Sequence, residues 1–218
     1  MAEPDVDVRA VRTAEDWRAV RELCCRTGDA GNPIEASRWA FFAELWVGPY
    51  QRVVPEWTLV ADRGGEVVGY LTGCPDTAAF RRDCALSVTL PLLGRIARGE
   101  FGWSRDTRRF VRRTLRLTRG PEARLSHRLP AATWRAYPAH LHMNVDARLR
   151  GQGVGRRLVE RYLAALAAER RPGVHLFCGA MARGFYLQLG FEELARLEFR
   201  PDVRVYALGR RVEASEST

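Results

Sequence analysis

The stretch from Ala139 to Arg171 narrows what this chain can become more than any other. It holds an extended run, then R-G-Q-G-V-G from Arg150 to Gly155, then an amphipathic run. In that last part Val154, Leu158, Tyr162 and Leu166 recur every four residues and form one stripe of a helix, while Arg157, Glu160 and Arg161 point elsewhere. Strand, glycine turn and helix follow one another. Without Cβ atoms, Gly151, Gly153 and Gly155 let the backbone approach a ligand closely. The unpaired amides of the helix start face outward at the positive dipole end. Such a turn is an anion cradle. The phosphate loop G-x-x-x-x-G-K-[ST] is excluded, because all 35 basic residues are Arg and the chain has no Lys. The dinucleotide pattern G-x-G-x-x-G is excluded as well, because Arg156 stands where it needs a third Gly.

What remains is R-x-x-G-x-G. A second spaced pattern, A-x-x-F-Y-x-x-x-G-F, runs from Ala182 through Phe185, Tyr186 and Gly190 to Phe191. Together these motifs resemble the GCN5-related N-acetyltransferase (GNAT) family. The resemblance implies a mixed α/β sheet with helices on both faces, and acetyl-coenzyme A as cofactor. Its pyrophosphate would lie on the amides of Arg150, Gly151, Gln152, Gly153, Val154, Gly155 and Arg156. By the same resemblance Met143 and Val145 pair their backbone with the pantetheine arm, Gly179 and Ala182 flank it, and Tyr186 takes the general-acid position. A thiol near pKa ~8.5 and a tyrosine near ~10 make full proton transfer uphill by about 2 kcal/mol, so Tyr186 is expected to act as a strong hydrogen-bond donor.

For the base, His140, His142 and Asn144 project from one strand face, because strand side chains alternate with period two. His142 is the first choice and His140 the second link, with Asn144 on the acceptor side. Two departures from the family pattern stand out. Gly179 replaces the usual Asn, and Asn144 stands where related H-L-H strands often carry an acid. Cys178 has no paired base and reads as a buried apolar residue, not a nucleophile.

The rest of the chain supplies the frame. Val6–Val11 alternates as a strand, Thr13 caps a helix carrying Trp17, Val20 and Leu23, and a second helix runs from Glu35 to about Gly48. In the family these two helices wall the acceptor groove, which puts Asn32 and Glu35 within reach of substrate. Residues 57–61 and 67–71 read as a hairpin. After the central element come a strand at 174–178, a helix at 180–189, and strands at 191–199 and 203–209. The order is βααβββαβαββ in one domain, 6–212, with a tail at 213–218 read as disordered.

About 60 residues intervene before the fourth strand, and an insert of that length must carry its own structure. Within 76–137 the pattern gives a helix over Ala78–Arg98, which Pro91 should kink or split in two, and another over Asp106–Arg119. Phe80, Val88, Leu92, Phe110 and Leu115 need cover. The ends of the insert, G-Y-L-T-G-C-P-D-T and Y-P-A-H-L-H, resemble the acetyltransferase-like domain associated with O-GlcNAc hydrolases and its free-standing bacterial relatives. Some of those are regarded as catalytically silent. Arg81–Arg135 holds 14 Arg against four acids, so the chain's net charge of +9 is concentrated there. That region is expected to form a homodimer contact or a lid over an anionic partner. No nucleic-acid motif or aromatic stacking set accompanies the charge, which disfavours nucleic acid as partner. Five cysteines without a C-x-x-C pair suggest neither disulfides nor a metal site. No apolar run approaches the ~20 residues of a membrane span, so the protein is expected in the cytoplasm. The functions left are N-acetyl transfer to an amine or a silent acyl-CoA-binding module.

Overall fold

The computed structural model describes residues 6–29, 31–102, 105–114, 120–201 and 203–213. Seven strands form one mixed sheet: β1 (Asp7–Ala10), β2 (Thr58–Arg63), β3 (Glu66–Cys74), β4 (Ala139–Val145), β5 (Gly173–Gly179), β6 (Glu192–Arg200) and β7 (Val203–Arg211), in the order β1-β2-β3-β4-β5-β7-β6. Every pairing is antiparallel except β4 with β5. That parallel pair touches only at Ala139↔Val174 and His140↔His175. Beyond these residues the two strands part, although β4 stays paired with β3 up to Val145.

Period-two alternation sorts β4 between two cores. Leu141, Met143 and Val145 pack with α9 (Val154–Ala168), whose Val154, Leu158, Tyr162 and Leu166 are buried against the sheet. The opposite face meets α1 (Ala14–Arg26), α2 (Trp39–Trp46) and α3 (Gly48–Val53), with Val20, Leu23 and Val47 packed on Tyr70 of β3. Thr13 and Asp16 close the start of α1 as a capping box, and Arg9 holds Asp16 at 2.8 Å and Asp62 at 2.8 Å. Glycine is required at Gly73 for space, since a Cβ there would lie 2.5 Å from the Tyr162 ring. Tyr162 uses that space to donate its hydroxyl to the carbonyls of Cys74 at 3.0 Å and His140 at 2.8 Å.

The insert is helical, as expected, but more divided. It forms α4 (Thr77–Cys84), a π turn at Ala85–Thr89, α5 (Leu90–Ala97), α6 (Arg105–Thr114), α7 (Pro121–Arg128) and α8 (Ala131–Ala136). The run is divided just before Pro91, as expected: the π turn interrupts the α-helical ladder there, and Pro91, which has no N–H to give, stands in the first turn of α5. Phe80, Val88 and Leu92 are buried, and Leu92 packs with Phe41 and Val111. Leu125 of α7 is fully buried on Leu197, Val205 and Ala207, so the insert also covers β6 and β7. Leu115 and the rest of the expected helix to Arg119 lie outside the described residues, as do the side chain of Phe110 and the tail from residue 214. Leu86, Leu90 and Leu93 are 72%, 59% and 41% exposed, leaving an apolar stripe on the outer side of α5 and the π turn. Among the described residues no helix is long and apolar enough to cross a membrane.

Candidate active site

The gap between β4 and β5 opens toward the glycine loop. Gly151 and Gly153 have φ of +80° and +78°, the left-handed region that favours glycine, and a Cβ on either would meet nothing within 4 Å. The loop is therefore constrained in backbone shape yet open above. Gly153 caps α9 without a side-chain acceptor, leaving the amides of Val154, Gly155 and Arg156 as the free donors of a helix start. A diphosphate fits this donor set. Gly155 is glycine for a different reason: its Cβ would lie 3.1 Å from Phe185 and 3.2 Å from Met143. Loop, β4 and the second motif thus converge at one point. Arg156 pairs with Glu160 at 3.4 Å on the exposed side of α9. Arg150 reaches back to the carbonyl of Gly31 at 3.4 Å, which ties the loop to the connection after α1.

Tyr186 comes from α10 (Ala180–Gln188) and is 6% exposed between Phe185 and Phe191. Among the described residues its hydroxyl has no hydrogen-bond partner. Burial, with Cys178 beside it, raises its pKa above the ordinary tyrosine value and keeps it protonated. Burial also pushes the Cys178 thiol up to about 11, which leaves it a poor nucleophile at neutral pH. Gly179 caps α10 with open space around it, and Ala182 packs on the α9 core.

On the other face of β4 the two imidazoles differ. His140 has both ring nitrogens engaged: Nε2 lies 2.7 Å from the Tyr50 hydroxyl, and Nδ1 lies 2.8 Å from Thr77 Oγ1 and 3.0 Å from Cys74 Sγ. Burial, then His175 and Arg81, lower its pKa to about 3. His142 stacks on Trp46, with centroids 5.9 Å apart at 26°. Its Nε2 is 3.3 Å from the side-chain amide of Asn144, which also lies 2.8 Å from the Tyr70 hydroxyl. That leaves Nδ1 as the ring nitrogen available to a ligand. Burial alone lowers the His142 pKa to about 4. Both rings are neutral at pH 7. Asn32 is exposed and held through its backbone to Asp29; Glu35 is exposed and engaged with Arg38 at 2.9 Å and Ser37 at 2.7 Å.

Trp46, Tyr50, Tyr70 and Thr77 shape this face but carried no functional signal in the sequence. Each belongs to an ordinary apolar or capping pattern, and only the packing of α2, α3, β3 and α4 on β4 brings them to the histidines. On the buried side of α2, Glu44 is 4% exposed and takes Arg21 at 3.1 Å, Arg95 at 3.3 Å and Arg52. This joins α1, α2 and α3 to α5 of the insert. Among the described residues no group of three or more His, Cys, Asp or Glu could hold a metal ion.

A family model described as an acetyltransferase (GNAT) domain matches residues 125–193, which contain β4, the loop, α9, β5 and α10. The crystal structure of SsHAT is 32% identical, covers 96% of this chain and 99% of its own, and superposes with a TM-score of 0.72. A GNAT-superfamily phosphinothricin acetyltransferase from Sinorhizobium meliloti, in complex with AcCoA, is 14% identical over 98% of this chain and 91% of its own, with a TM-score of 0.53. The ribosomal-protein-S18-alanine N-acetyltransferase from Escherichia coli is 12% identical over 98% and 99%, with a TM-score of 0.54. The last two are likenesses of fold.

Proposed function

Because this chain belongs to the GNAT acetyltransferase family, we propose that it transfers an acetyl group from acetyl-CoA to an amine by direct attack in a ternary complex. The observation that carries the reading is the parting of β4 and β5 after His140 and His175, beside an open glycine loop at the start of α9. Acetyl-CoA would supply an activated thioester. The free amides of Val154, Gly155 and Arg156 bind its diphosphate, and Arg150 and Arg156 are the nearby cations. The amides of Arg150 and Gln152, expected to share in this, are engaged by the carbonyls of Ala147 and Leu149, so these residues contribute shape. The edge of β4 that has lost β5, at Met143 and Val145, offers backbone groups to the extended arm, with Gly179 and Ala182 on its far side. An amide on this edge polarises the acyl carbonyl.

Tyr186 donates a hydrogen bond to the departing sulfur. Its raised pKa suits donation rather than complete proton transfer. His142 accepts the proton of the incoming amine through Nδ1, with His140 behind it as a relay in the Tyr50–Thr77 network. Asn32, Glu35 and Asn144 stand on the acceptor side. A silent acyl-CoA-binding module is the second reading, favoured by the weak basicity of both imidazoles. All five cysteines are free, which accords with a cytoplasmic enzyme. The exposed Leu86–Leu90–Leu93 stripe supports a homodimer contact on the insert.

Tyr186→Phe tests the catalytic reading. It should lower kcat by about 10- to 100-fold and leave the acetyl-CoA Kd within about twofold, since the lost hydrogen bond acts in the transition state. Stopped-assay kinetics beside calorimetry measure both. Equal kcat for the two proteins would remove Tyr186 from the chemistry.

A further inference from the structure

We infer that the acceptor is an uncharged aromatic amine, bound where Trp46, Tyr50, His142 and Asn144 line the face of β4; this rests on the acetyl-transfer reading above and narrows it. All four side chains are half-buried, neither sealed in the core nor on open surface. Among the described residues no carboxylate hydrogen-bonds or ion-pairs with any of them.

Most acids on the surrounding elements are engaged by other groups, Glu35 by Arg38 at 2.9 Å among them. Glu44, two residues before Trp46, is neutralised by Arg21, Arg52 and Arg95. Asp76 caps α4 through the amide of Ala79 at 2.9 Å. Asp146, past the end of β4, is held by Arg148 at 2.9 Å. Glu122 of α7 carries no ion pair among the described residues and acts on Tyr50 but on neither imidazole, while the charge acting on His140 from α4 is the cation Arg81. An ammonium set against His142 and Asn144 would give up its water and find no carboxylate bonded to either, and burial alone acts on His142, whereas a neutral amine gives up little.

Nor do the rings form a cage for a cation. Trp46 has its face against His142, and Tyr50 stacks on Phe80 at 4.9 Å and 25°. A planar ring can instead extend either stack. The neutral imidazoles agree with this class of acceptor, because a weakly basic amine arrives with its lone pair free and needs no prior deprotonation. In the step itself the amine nitrogen bonds to the acyl carbon as the carbon–sulfur bond breaks. One N–H proton is lost toward His142 Nδ1, and one proton is taken up by the departing thiolate, so the sum is neutral amine plus thioester to amide plus thiol.

Aniline and cyclohexylamine, alike in size and unlike in charge at pH 7, separate the alternatives. With acetyl-CoA and the full chain, CoA release should favour aniline by at least ~10-fold in kcat/KM. Calorimetric titration of each amine into protein saturated with CoA should show the same order. Asn144→Asp puts a carboxylate beside His142 and should narrow or reverse that preference. Equal or better turnover and binding of cyclohexylamine by the unaltered chain overturns the inference alone and leaves acetyl transfer standing. Acetyl-CoA binding with no CoA release for either amine, nor for peptides or polyamines, overturns both.

Discussion

Gly153→Glu is expected to weaken acetyl-CoA binding at least ~100-fold, a loss of about 2.7 kcal/mol. Two effects combine. The new carboxylate would stand over the free amides of Val154, Gly155 and Arg156 and repel a diphosphate from the donors that suit it. The φ of +78° also disfavours any residue with a Cβ, at roughly 1–2 kcal/mol. The second effect acts on folding and should appear as a fall in Tm of only a few degrees for a chain of this size. Gly153→Ala carries the strain without the charge and should keep affinity within about tenfold, because its methyl meets nothing within 4 Å. Calorimetry with both variants, and circular dichroism to follow the fold, measures the two effects separately. An acetyl-CoA Kd for Gly153→Glu within threefold of the parent would place the diphosphate elsewhere.

The second large effect concerns Glu44. Glu44→Ala leaves Arg21, Arg52 and Arg95 facing one another without their shared carboxylate. Removing one partner of a fully buried ion pair costs about 3–5 kcal/mol. These guanidinium groups are 27–37% exposed and can recover some water, so about 2–4 kcal/mol is expected here. The matching fall in Tm is roughly 5–12 °C. Burial works to raise the pKa of Glu44, but Arg52, Arg21 and Arg95 outweigh it and hold the group below the ordinary glutamate value. Its stabilising contribution is therefore present above the unfolded carboxylate range and is lost as pH falls through the lowered folded value. Thermal melts from pH 7 down to pH 3 should show the gap between parent and Glu44→Ala closing toward the acid end. A gap that stays constant would mean the carboxylate charge is not what binds α5 to the helices beneath it.

The loop and its helix were legible because their signals are local. Glycines at set spacing, a stripe of four-residue period and a downstream Phe185-Tyr186 pair are all read along the chain. The face shared by His140, His142 and Asn144 was legible for the same reason. Helices α7 and α8 were not, being eight and six residues long, the first opening on Pro121 and the second following Pro130, prolines that read equally as breaks. Nor was α3, since Gly48-Pro49 reads as the end of α2, whereas Pro49 fits the first turn of a new helix. What holds the histidines was illegible for a different reason. Tyr50 meets His140 from 90 residues away and Thr77 from 63, and no spacing rule connects such positions.

The brief contact between β4 and β5 has a mechanical consequence. Two residue pairs, with α9 lying over them, join a four-stranded half of the sheet to a three-stranded half, so this seam is a weak point of the hydrogen-bonded network. A ligand spanning the gap would act as the missing rungs. Amide hydrogen exchange at 141–145 and 176–179 should then slow on adding acetyl-CoA, while the outer strands β1 and β6 change little. In this molecule affinity and the cohesion of the sheet are one property, so a substitution that knits the seam together without ligand would stiffen the protein and close its own binding cleft.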